Sequence, residues 1–136
     1  MRGAAAGFVA AAAWAACEPG LRRLVRTPYS DVRLLGRMFT RTRAWPAVGL
    51  VLHLTNGCVF GALFERAGLR GVKAGIAAAE LENVALWPAL AAVDKLHPDR
   101  RSGAWPPLAT SPRVAAYEIL AHALFGATLG ALLSSR

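Results

Sequence analysis

Two histidines stand in the same phrase. From His53 the chain runs three residues to Gly57, three more to Gly61, then Ala62 and Leu63; from His122 it runs likewise to Gly126, Gly130, Ala131 and Leu132. Imidazole exchanges its proton near neutral pH and can also ligate a metal or a haem iron. Glu118 precedes His122 by one helical turn, where a carboxylate can charge the ring or orient it. His53 has Gly49 at that place and lacks the help. Asn56, Glu80, Glu82 and Asn83 also fall inside apolar runs. Polar groups at membrane depth are costly and turn to the bundle interior or to a cavity.

Four kinds of chemistry fit this set. The groups can hydrogen-bond across helices and fix the register of a glycine-packed bundle. They can relay ions or protons, with His53, Glu82, Glu118 and His122 as carriers. The two histidines can hold a haem between them, since the glycines leave room for a flat ring. Glu118, His122, His53 and one acid of the third span can hold a metal, as bundle cores do. No complete di-iron set is present, because that needs Glu-x-x-His twice. The first reading makes the chain a small integral membrane scaffold or accessory subunit with a buried polar core. The alternatives make it an ion- or proton-conducting, or a haem- or metal-binding, four-helix membrane bundle. The cofactor stays unknown.

The elements that must carry these residues follow from the apolar runs. Spans are expected over about Gly3–Cys17, Trp45–Phe64, Gly71–Trp87 and Val114–Leu133. The second and fourth approach the roughly 20 residues a bilayer helix needs, and the other two borrow flanking residues or tilt. Glu18-Pro19-Gly20 stops the first and Pro88 the third. Glycines four apart make one slowly drifting stripe on a helix, so Gly57, Gly61, Gly126 and Gly130 form seams where another helix approaches closely.

The repetition extends beyond the histidines. Arg2-Gly3 with Gly7 matches Arg70-Gly71 with Gly75, and alanine runs follow both. Residues 2–64 and 70–133 therefore read as two repeats within a single membrane domain of residues 1–136. Each repeat is one helical hairpin. The expected fold is all-α, a four-span bundle of two tandem, parallel hairpins related by an axis along the membrane normal. Arg2 and the alanine run ending Trp14-Ala15-Ala16-Cys17 imitate a secretion leader, but the duplication argues that the run is retained as a span.

Charge sets the expected topology. The net charge is +8, and the connections over residues 18–44 and 88–113 hold eleven of the sixteen Lys and Arg. The positive-inside rule places both connections in the cytoplasm and both termini outside the plasma (inner) membrane. Trp14, Trp45, Trp87 and Trp105 fall toward that same side, as an interfacial belt would.

The first connection also predicts an amphipathic interfacial helix. Ser30 caps it, Val32, Leu35, Met38 and Phe39 share one face, and Arg33, Arg37 and Arg41 repeat on the other. Those arginines are expected to meet anionic lipid head groups. The second connection, with Pro98, Pro106, Pro107 and Pro112, reads as irregular, and His97 as a solvated loop histidine. Cys17 and Cys58 lie at different depths and outside any metal pattern, so both read as small buried residues.

The phrases around His53 and His122, with Tyr29-Ser30-Asp31 and the Trp-Pro pairs, resemble small multi-span membrane proteins of unknown function from high-GC actinobacteria. That resemblance implies an integral membrane protein and carries no activity with it. No phosphate loop, nucleophile elbow or zinc-protease pattern occurs, so an enzyme is not expected. The basic residues lack aromatic interleaving, which argues against nucleic acid. The expected partners are the bilayer itself, a second copy, or another membrane protein.

Overall fold

The computed structural model describes residues 2–134, and Met1, Ser135 and Arg136 lie outside the described residues. The described chain is all-helical. Helix α1 spans Arg2–Val25, α2 Asp31–Phe39, α3 Trp45–Arg66 and α4 Gly71–Leu86. A 3-10 turn, Trp87–Ala89, joins α4 to α5, Leu90–Leu96. The short α6, Pro98–Arg101, precedes α7, Pro112–Leu132. Four helical stretches are long and apolar enough to cross a membrane: Arg2–Val25, Trp45–Arg66, Gly71–Leu96 and Pro112–Leu132.

One of the expected stop signals does not stop its helix. Helix α1 continues through Pro19, which is exposed. A mid-helix proline removes one hydrogen bond. Continuing the helix brings Glu18, Leu21 and Val25 onto the packed face, below Ala11 and Trp14. The helix ends instead at Arg26, whose φ is 55°, with the Thr27 N–H donating back to the Arg22 carbonyl at 3.0 Å. Pro28 follows, as it commonly does after such a left-handed cap. Pro88 does end α4, at Leu86, but it falls at the start of a 3-10 turn, where a missing N–H costs little, and α5 follows directly. The third apolar stretch therefore runs on to Leu96.

Glycine pairs set how closely the helices approach. A Cβ added at Gly7 would collide with the Gly57 carbonyl, and one at Gly61 with the Gly3 carbonyl, so α1 and α3 touch backbone to backbone. Gly75 and Gly126, and Gly71 and Gly130, stand in the same relation between α4 and α7. Gly36 and Gly49 bring α2 equally close to α3: a Cβ on Gly49 would strike the Val32 carbonyl. Helix α1 also packs along α7, which leaves α3 and α4 as the outer helices. The core is small and aromatic, built from Ala10, Ala11, Trp14, Ala79, Tyr117, Ala121, Phe125 and Leu129.

The two long connections fold onto each other. Arg33 grips Asp99 through Nε and Nη2, each at 2.8 Å, and Arg37 Nε lies 3.3 Å from the same carboxylate. Trp105 donates from Nε1 to the Pro28 carbonyl at 3.1 Å. Asp94 accepts from Arg100 and from the Leu108 and Ala109 N–H groups, which orders the proline-rich segment before α7. His97 is not a solvated loop residue. It is fully buried and stacks on Trp105 at 4.6 Å with 7° between the rings. Its Nε2–H donates to the Leu34 carbonyl at 3.2 Å, and its Nδ1 accepts from the Asp99 N–H at 3.2 Å. The tryptophans do not form one interfacial belt either. Trp14 and Trp105 are 7% and 2% exposed, because each indole N–H has a partner inside the protein. Cys17 is exposed and Cys58 half-buried.

Candidate functional site

The polar residues gather in one half of the bundle. The glycine contacts of Gly3, Gly7, Gly57 and Gly61, and of Gly71, Gly75, Gly126 and Gly130, close the half nearer the chain termini. His53, Asn83, Glu118 and His122 lie in the other half, toward the long connections, and all four are buried. Between them is a cavity of about 180 Å³. Trp14 of α1, Asp31 and Leu34 of α2, His53 and Asn56 of α3, Glu82 and Asn83 of α4, and Glu118, His122 and Phe125 of α7 line its wall.

Sequence spacing brings each of these in. On α1, residues 11, 14 and 18 recur at helical period and face α3 and α7. On α7, Glu118 and His122 are one turn apart and share a face. The His122 Nδ1–H donates to the Glu118 carbonyl at 2.8 Å, and the same nitrogen lies 3.3 Å from Glu118 Oε2. Only a protonated nitrogen can face a carbonyl, so Nδ1 carries the hydrogen. His53 uses the other nitrogen: its Nε2–H donates to the Ala11 carbonyl at 3.1 Å. The two histidines thus occupy matching places in the duplicated phrase but bond through different ring nitrogens to different partners.

Trp14 separates them. Its ring centroid is 5.0 Å from that of His53 and 4.8 Å from that of His122, edge-on to both. The space that a haem between the histidines would need is filled by this indole, so the residues present do not fit a bis-histidine haem. Nor, among the described residues, do three His, Cys, Asp or Glu side chains converge as a metal set.

Sequence reasoning missed a second group of residues beside the histidines. Trp14 donates from Nε1 to the Tyr117 hydroxyl at 3.1 Å, and Tyr117 donates to Glu18 Oε2 at 3.2 Å. Tyr29 donates to Asp31 Oδ1 at 2.9 Å. Asp31 Oδ2 is buried and has no hydrogen-bond partner. Burial pushes the Asp31 carboxyl well above the usual carboxylate range, and the nearby Glu118 and Glu18 push it further. Burial, with Asp31 next, also raises the Tyr29 hydroxyl. The signal for Glu18 was its place one turn beyond Trp14, obscured by the proline after it. Tyr29 and Asp31 were visible only as part of a local phrase.

The remaining expected site residues divide. Asn56 lines the cavity yet is exposed, so it belongs to the rim rather than to a buried core. Glu82 is half-buried in the wall. Asn83 donates to Glu80 Oε2 at 3.3 Å along its own helix. Arg33 and Arg37 are turned to Asp99 rather than outward, with the Arg33 guanidinium 5.8 Å from the Trp105 ring centroid. Arg41 is exposed. Comparison with protein-family models, with curated proteins and with solved structures finds no match to this chain.

Proposed function

We propose that this chain is an integral protein of the plasma membrane whose one-sided polar cavity binds a cation, the proton being its simplest occupant. The four apolar stretches form two parallel hairpins, α1 with α3 and α4 with α7, which the matching glycine pairs support. The joining of Arg33 to Asp99 supports placing both long connections at one end, and the excess of Lys and Arg there supports the cytoplasmic side.

The observation that carries the proposal is the buried Asp31 carboxylate with an unused Oδ2, beside Glu18 and Glu118. A buried anion without a full set of donors costs several kcal/mol, roughly, unless a proton or another cation neutralises it. The backbone contacts of the other half argue for binding from one side rather than for a continuous path. Two measurements test this. In detergent, a pH jump from strongly alkaline, where Asp31 is ionised, to acid, followed by an indicator dye, should show wild-type protein taking up about one proton more than Asp31→Asn. In liposomes under an imposed potential, sustained proton flux should be absent. Equal uptake by the two proteins would refute the Asp31 site, and steady flux would refute the closed end.

A scaffold role is the second reading. It is favoured by the internal partners of His53, Trp14 and Tyr117, which tie α1 to α3 and α7. It expects Asp31→Asn to change stability alone.

A further inference from the structure

The cavity wall is more than a carboxylate cluster. Asp31 is 8% exposed and lines the space, and its Oδ2 is buried without a partner. Around it stand flat aromatic and aliphatic surfaces, Trp14, Trp87, Phe125, Leu34 and Leu90. A wall of that kind suits a ligand with an apolar body and one positive end. Metal-like geometry is not present among the described residues, so a bare ion would have to keep most of its water. At about 180 Å³ the space fits one small ring and a short arm; a cavity of about 150 Å³ holds a benzene.

The mouth has a direction. Of the lining residues, Asn56 of α3 and Leu86 of α4 are exposed, and Glu82 of α4 is half-buried. These mark an opening between the two outer helices, which share no extended contact. An opening there faces the bilayer side of the bundle, where an amphiphile concentrates.

We propose that this cavity takes a small amphiphilic ammonium ion, entering between α3 and α4 and replacing the proton on Asp31. This deepens the cation-binding reading and rests on it. The Asp31 O–H bond breaks, its proton passes to water on the side of the long connections, and an ammonium N–H donates to Oδ2. The net charge of the cavity is unchanged by the exchange. The groups that set the balance are Tyr29 on the same segment, Glu18 from α1, His53 from α3, Glu82 from α4, and Tyr117, Glu118 and His122 from α7. Burial holds the proton on Asp31 when the cavity lacks a cation, and the ammonium supplies the missing charge and donor together.

The test is isothermal titration of the full chain in detergent with phenethylammonium chloride, in two buffers of different protonation enthalpy. Binding should release about one proton and tighten as the pH is raised. The neutral isostere 2-phenylethanol should bind at least about tenfold more weakly, and Asp31→Asn should lose about the same factor. Binding without proton release, or equal binding of the alcohol, would overturn the proposal even if Asp31→Asn fails to fold. Normal proton uptake by Asp31 with no phenethylammonium binding would overturn this inference and leave the proton-binding reading standing. Loss of both would overturn both.

Discussion

At the scale of single residues, two buried groups have opposite consequences for pH. His97 sits between the Leu34 carbonyl and the Asp99 N–H, and burial pushes its imidazole below the ordinary histidine value. The unfolded chain then takes up the proton first as pH falls. The contribution of His97 is therefore intact above about pH 6.5 and is lost on acidification below it. Asp31 runs the other way: its folded carboxyl is raised, so its cost is present at high pH and relieved as pH falls. The difference between wild type and His97→Gln isolates the first effect. Thermal melts should show wild type losing more stability than the variant between about pH 7.5 and 5; equal losses would mean His97 is protonated without penalty. Trp14 is the other residue on which much depends, since it touches both histidines and Tyr117. Trp14→Ala should cost about 3 kcal/mol or more in a denaturation experiment, and a loss under about 1 kcal/mol would contradict its central place.

At the scale of elements, the glycine seams were legible in the sequence, and the ends of the helices were less so. A glycine every fourth residue has one physical meaning on an apolar helix, and Gly57, Gly61, Gly126 and Gly130 do meet neighbouring backbones. Helix ends depend on tertiary packing as well as on local signals. Pro19 reads as a stop, yet burying Glu18, Leu21 and Val25 carries α1 on to Val25. Asp99 explains why the arginines of α2 misled: alternating faces say that Arg33 and Arg37 leave the apolar face, but not that an aspartate 66 residues from Arg33 waits there. The same distance in sequence hid the grouping of Glu18, Asp31 and Glu118. Gly57→Leu and Gly126→Leu should each destabilise the chain by about 3 kcal/mol or more, through overpacking against backbone. Gly20 is the control, because a Cβ there meets nothing within 4 Å; Gly20→Leu should not destabilise the chain and should gain up to about 1 kcal/mol from helix propensity. Equal behaviour of the three in detergent melts would refute seam packing.

At the scale of the whole molecule, one end is closed by backbone contacts and the other holds a polar cavity beneath folded, Arg-rich connections. The sidedness can be read by labelling: a cysteine at Ser102 should react from the cytoplasm and one at Ser134 from outside, and the reverse pattern would invert the topology. The central claim is that the buried Asp31 carboxyl keeps a proton where an ordinary aspartate has lost it. Infrared spectroscopy of the protein in lipid sees that proton directly, as the C=O stretch of a protonated carboxyl. At about pH 6, well above the usual carboxylate value, the wild type should show this band, Asp31→Asn should lose it, and phenethylammonium should abolish it in the wild type. A spectrum without the band at that pH, or a band unchanged in Asp31→Asn, would contradict the account.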